Sequence, residues 1–159
     1  LFALLVVAGI VVSIIRDQRC RKTRNLLLQW FEEKEIKAVY FDTKVMHKET
    51  SVGYFRMEWA MAEVMITEGS ILAYWYFPIF GHRWYSGVTH WHLKERVIPP
   101  QIQVSIPVES LKITDGNLVV KALEKHIDVS TTFKDVTDSG QVELIRNMLH
   151  DSNVPYQEN

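Results

Sequence analysis

The amino-acid sequence predicts an α+β fold in three parts. These are an N-terminal transmembrane helix, an antiparallel β-sandwich or partly open barrel of six to seven strands, and a C-terminal capping helix. The first fifteen residues are apolar except for Gly9 and Ser13. Several later segments alternate apolar and polar residues, which is typical of strands. Near the C-terminus Val142, Ile145 and Leu149 recur at helical spacing.

Composition limits the classes of function. The 159 residues carry 18 Lys and Arg against 19 Asp and Glu, and they are long enough for one domain with appendages. Outside one basic cluster the chain is not basic enough to favour nucleic-acid binding. Cys20 is the single cysteine, so an intrachain disulfide and a cysteine-rich metal site are both excluded.

The order of charges at the N-terminus favours a membrane anchor over a signal peptide. Basic residues follow the apolar run rather than precede it, and we expect them to contact a membrane surface and anionic lipid headgroups: Arg16, Arg19, Arg21, Lys22 and Arg24. This predicts a single-pass protein with its N-terminus outside and its domain on the cytoplasmic, matrix or stromal side. Fifteen residues span only about 22 Å of the roughly 30 Å hydrocarbon core, so the prediction relies on further residues before Leu1 or on an Arg16 side chain that extends to the headgroups.

The chain then divides into four predicted regions. Residues 1–16 form the transmembrane helix and residues 17–37 a juxtamembrane helix, since no Gly or Pro separates them. Residues 38–150 form the β domain, and residues 151–159 form a flexible polar tail. Within the domain "QIQVSIPV" (101–108) alternates as a strand, and Asp115-Gly116 predicts a tight hairpin turn.

The stretch "IPVESLKITDGNLVVKAL" resembles the segment of pleckstrin-homology-like domains, including bacterial ones, that precedes the last strand and helix. The resemblance covers residues 53–150 and implies a barrel plugged at one end by a helix. It would also imply a basic first hairpin loop that binds inositol phosphates. The corresponding loop here, residues 67–70, is acidic and departs from that pattern.

Two groups of residues are candidates for a site. His90 and His92 point the same way on a strand and are weak candidates for a metal site, for which His82, Glu95 or His126 would supply further ligands. The alternative is a pair of surface histidines beside a buried Trp91. The aromatic-rich stretch predicts a partner-binding surface, since a strand apolar on both faces needs cover on both: Trp75, Phe77, Ile79, Phe80 and Trp84.

The sequence thus favours a membrane-anchored, non-catalytic binding or scaffold module with a protein partner and no cofactor. The alternatives are an accessory subunit of a larger membrane complex and a metal-dependent enzyme that uses His90 and His92. Nucleophilic catalysis has no motif to support it, because the chain has no G-x-S-x-G and no glycine-rich phosphate loop.

Overall fold

A computed structural model describes residues 2–93, 98–102, 104–124, 127–136, 142–152 and 154–158. Over these residues the chain forms two helices and eight strands. The helices are α1 (Phe2–Glu33) and α2 (Val142–His150). The strands are β1 (Ala38–Ser51), β2 (Tyr54–Thr67), β3 (Ser70–Ile79), β4 (His82–His92), β5 (Ile106–Thr114), β6 (Asn117–Glu124), β7 (Ile127–Phe133) and β8 (Tyr156–Glu158).

The strands form one mixed sheet in the order β4-β3-β2-β1-β7-β6-β5-β8, and β4 also pairs with β5. Seven strands therefore close into a ring, with β8 added outside β5. The β4–β5 contact is parallel and pairs Trp91 with Ile106, and β8 is also parallel to β5. The predicted antiparallel fold of six to seven strands is wrong on this point. Antiparallel neighbours alternate in direction, so an odd number of strands cannot close without one parallel pair.

The N-terminal prediction is also wrong. Among the residues that the structure describes, neither helix combines the length and the apolar composition that a membrane crossing requires. The helix α1 is continuous, but its apolar run ends at Arg16 and Asp17, after about 22 Å of rise. The predictions of a transmembrane helix over residues 1–16, of a single-pass protein and of its topology are therefore not supported.

The ring encloses the main hydrophobic core. Its largest members include Trp91 and Phe133, and α2 contributes Ile145, Met148 and Leu149 to the same cluster. The turn at Asp115-Gly116 joins β5 to β6, and both residues have positive φ (49° and 75°), as a type I′ turn requires. The predicted hairpin is confirmed. The predicted strand over residues 101–108 is only partly present, because β5 begins at Ile106.

A second apolar cluster lies outside the ring, between α1 and β2–β4. Leu27 and Phe31 of α1 pack there against Met65, Leu72 and Tyr74. This explains why β3 is apolar on both faces: Ile71 and Ala73 belong to the core cluster, whereas Leu72 and Tyr74 lie under α1. The apolar outer face of β3 is thus largely covered by the chain itself.

Ion pairs fix α1 on this face. Arg24 Nε lies 3.0 Å from Oε1 of the buried Glu63, and Tyr85 Oη donates to Glu63 Oε2 at 2.8 Å. Burial raises the pKa of Glu63, but the hydrogen bonds from Arg24 and Tyr85 and the charge of Arg83 outweigh it, so this pKa is lowered overall. About two helical turns before Arg24, Asp17 accepts a hydrogen bond from the Tyr85 backbone N–H at 2.8 Å.

We predict that Arg24→Gln destabilises the protein by about 2–3 kcal/mol, because the buried Glu63 carboxylate then keeps only the longer contact to Arg83, at 3.4 Å. Urea unfolding measures this loss. Arg16→Gln, at an exposed position of the same helix, is the control and should change the free energy of unfolding by less than about 0.5 kcal/mol. Adding Glu63→Gln to Arg24→Gln should recover part of the loss. Equal stability of the Arg16→Gln and Arg24→Gln variants would contradict the assignment.

Candidate functional site

The tips of two hairpins lie at the same end of the sheet. The β1–β2 hairpin turns at Val52-Gly53, and the β3–β4 hairpin turns at Phe80-Gly81. In the register of the sheet Met61 pairs with Tyr76, which in turn pairs with Tyr85. From this row of paired residues, β2 leads back to the turn at Gly53 and β3 leads on to the turn at Gly81. Because β2 and β3 are antiparallel, these two directions are the same. Because the helix runs from Asp17 beside Tyr85 to Phe31 beside Leu72, the N-terminal half of α1 projects towards this end too.

Phe80 occupies an unfavourable position for its residue type. Its φ is 49°, in the left-handed region that disfavours large side chains, and its side chain is 98% exposed. The conformation of Phe80 therefore costs free energy, and its side chain is not buried in the fold, so packing does not offset that cost. A strained and exposed aromatic residue of this kind is a candidate contact residue.

The same end exposes an unusual number of large apolar side chains. They come from both hairpins and are each more than 40% exposed: Val52, Tyr54, Phe55, Met57, Trp59, Phe77, Ile79 and Phe80. Scattered exposed apolar residues are ordinary, but a concentration on two adjacent hairpins is typical of an interaction surface.

A cleft opens between these hairpins, and we call it the mouth cleft. Its volume is about 470 Å³, within the range of small-ligand sites. Strands β1–β4 supply its lining: His47, Glu49, Glu58, Trp59, Ala60, Trp75, Phe77, Ser86 and Thr89. Aromatic and acidic side chains thus share one concave surface, and that combination suits a positively charged group.

Hydrogen bonds hold the polar lining in place. Trp75 Nε1 donates to Thr89 Oγ1 at 2.7 Å, and Tyr54 Oη donates to Glu49 Oε2 at 2.9 Å. His47 lies 3.2 Å from the other oxygen of Glu49. Burial raises the pKa of Glu49, but these hydrogen bonds and the charge of nearby Arg56 outweigh it, so this pKa is lowered. Glu49 is therefore an anion at neutral pH.

The structure divides the predicted partner-binding residues. Trp75 is half-buried and packs edge-to-face on Trp91, with centroids 6.5 Å apart, so it forms a wall of the mouth cleft. Phe77, Ile79 and Phe80 are exposed, and Trp84 lies opposite Phe77 on β4. Sequence reasoning missed Trp59, Glu49 and Glu58. The signal that could have found them is the run of large side chains from Tyr54 to Trp59, which flanks the turn at Gly53.

The predicted basic surface is also divided. Arg24 pairs with Glu63, while Arg21 donates to Asp17 Oδ2 at 2.8 Å and to the Arg83 carbonyl at 2.6 Å. These two residues hold α1 to the sheet. By contrast Arg16, Arg19 and Lys22 are exposed.

His90 and His92 share a hydrogen-bonding partner, Ser105. Ser105 Oγ lies 2.7 Å from His90 Nδ1 and 2.8 Å from His92 Nδ1, and His90 Nε2 lies 2.8 Å from Ser70 Oγ. Within the described residues no group of three His, Cys, Asp or Glu side chains could hold a metal. His82 lies at the opposite end of β4, and Glu95 and His126 fall outside the described residues. Burial and the neighbouring His92 lower the pKa of His90 to about 4, so it is a poor base at neutral pH.

We predict that His90 makes stability depend on pH. Its pKa falls from an ordinary value of 6.5 to about 4 in the folded chain. Between these values the unfolded chain binds more protons, so stability should fall by roughly 3 kcal/mol as the pH drops through this window. Urea unfolding from pH 7 to pH 4 should show a flatter profile for His90→Gln. The exposed His82→Gln is the control and should keep the wild-type slope, and an unchanged slope in His90→Gln would refute the assignment.

Searches of protein-family models, curated proteins and solved structures found no match to this chain. The resemblance to pleckstrin-homology-like domains therefore stays a prediction, and function is argued from the geometry above.

Proposed function

We propose that this protein is a non-catalytic binding module, and that it docks a protein partner at the end formed by its two hairpin tips. The observation that carries the proposal is Phe80, a strained and fully exposed aromatic residue at the centre of an apolar rim. Aromatic side chains of this kind commonly anchor interfaces.

The charge of the mouth cleft supports a partner of particular chemistry. Glu49 and Glu58 lie beside the rings of Trp59 and Trp75. Arg56 pairs with Glu58, at 3.0 Å from its Nε, whereas Glu49 is held by the neutral donor Tyr54 and by His47. The carboxylate of Glu49 thus has no Lys or Arg hydrogen-bonded to it among the described residues, although the charge of Arg56 acts on it from nearby. A Lys or Arg side chain flanked by apolar residues would complement both the cleft and its rim.

A peptide display selection on the purified protein tests this proposal. We expect it to enrich peptides in which a Lys or Arg lies among apolar residues. Phe80→Asn should weaken their binding at least 10-fold, because the rim loses its anchor. The same substitution should leave the protein as stable or raise stability by about 0.5–1 kcal/mol, since Asn tolerates positive φ. Peptide titration and urea unfolding measure the two effects.

Matched variants distinguish specific binding at this site from non-specific hydrophobic binding elsewhere on the protein. Glu49→Gln should weaken binding of the basic peptides, whereas Leu144→Asn, which replaces an exposed apolar residue on α2, should not. Enrichment of peptides without a basic residue, or equal binding by wild type and Phe80→Asn, would overturn the proposal.

One observation favours a second candidate, a subunit of a larger assembly. Residues 4–15 of α1 are apolar almost throughout and exposed on every side, and a helix with no polar face is normally buried. Neighbouring chains would supply that cover. Under this candidate the protein isolated from its native source should sediment as a particle heavier than a monomer, whereas a monomer would exclude it.

A further inference from the structure

We infer that a second cleft, beside α1, binds an anion that carries an apolar chain, such as an alkyl phosphate or a fatty carboxylate. We call this cleft the basic groove. It has a volume of about 530 Å³ and is lined by Arg19, Cys20, Lys22, Thr23, Val88, Gln101, Ile102 and Val104. It lies between α1 on one side and the segment that leads into β5 on the other, with β4 contributing Val88.

The first argument is charge. Arg21 and Arg24, on the same helix, are paired with Asp17 and Glu63. Arg19 and Lys22 line the basic groove, and neither has an ion pair with any residue that the structure describes. Two cations without counter-charges beside one cavity favour an anion there.

The second argument is an unsatisfied polar atom. The side-chain oxygen of Gln101 is buried and has no hydrogen-bond partner among the described residues. A buried oxygen without a partner costs free energy. A half-turn of the carboxamide would put its NH2 group in place of that oxygen, and the NH2 group, unlike the oxygen, donates to an anionic head group.

The third argument is the apolar part of the lining. Val88, Ile102 and Val104 face the same cavity as the two cations, and Val104 is 69% exposed. Burial raises the pKa of the Cys20 thiol, so it stays neutral and adds to this apolar wall. The apolar N-terminal half of α1 ends at Ile15, about one turn before Arg19. A charged head with a hydrocarbon chain fits these surroundings better than a bare anion or a neutral hydrocarbon does.

Calorimetric titration with octyl phosphate below its critical micelle concentration tests the inference. We expect saturable binding that weakens at least 10-fold in the double variant Arg19→Gln, Lys22→Gln and several-fold in Val104→Ser. Arg16→Gln, an exposed cation that does not line the basic groove, is the matched control and should stay within about 2-fold of wild type. Urea unfolding of each variant checks that the fold is intact.

Three results would overturn the inference: no binding of octyl phosphate, equal binding of inorganic phosphate, or equal binding of octanol. The source of the ligand is a separate question, which vesicles address. Binding to phosphatidylglycerol vesicles that depends on Arg19 and Lys22 would support the inference with a lipid headgroup as the source. If the protein binds octyl phosphate but not the vesicles, the result would support the inference with a free amphiphilic anion as the source of the ligand. Because Phe80→Asn leaves the basic groove intact, it should bind octyl phosphate as wild type does, so this site and the hairpin site can fail separately.

Discussion

The contact on which the rest of the structure depends is the buried ion pair between Arg24 and Glu63. A carboxylate on the outer face of β2 would be costly without a cation, and α1 supplies one from 39 residues away. The same contact fixes which side of α1 meets the sheet. Leu27 and Phe31 then pack on Leu72 and Tyr74, while Arg19 and Lys22 face outward. The orientation of α1 therefore determines both the second core and the free cations of the basic groove.

Closure of the ring is the second constraint. Because seven strands close it and all its other neighbours are antiparallel, β5 runs parallel to β4. Among the described residues just before β5, Ser105 lies between His90 and His92, and Ile102 and Val104 line the basic groove beside α1. The serine-linked histidines and the basic groove thus both lie next to the parallel contact.

The surface features on which the binding proposals rest concentrate in two places. At the hairpin tips they are the strained Phe80, its apolar neighbours and the anionic Glu49. At the basic groove they are unpaired cations, an exposed valine and the buried oxygen of Gln101. The interior of the ring, by contrast, is packed by side chains from every strand of the ring and from α2, and its alternating residues are what a closed sheet requires. Two buried polar atoms in the apolar clusters, Trp91 Nε1 in the ring and Tyr74 Oη under α1, also have no partner among the described residues, but they are closed off from solvent. The proposed ligands therefore bind at the two surface regions.

The sequence alone determined the local features of this protein. It predicted a helix over residues 17–37, which the structure forms as far as Glu33, the turn at Asp115-Gly116 and the strand alternation around β3. Each of these depends on residues only a few positions apart. It also predicted Trp75, Phe77 and Phe80 as partner-binding residues, because many aromatic residues lie close together in that part of the sequence. Only the tertiary structure decided that Glu63 neutralises Arg24, that Glu49 and Trp59 join Trp75 in one cleft, and that β5 closes the ring in parallel. The first two depend on contacts between segments that are distant in the sequence, and the third depends on the odd number of strands in the closed sheet. The spacing of residues along the chain encodes neither.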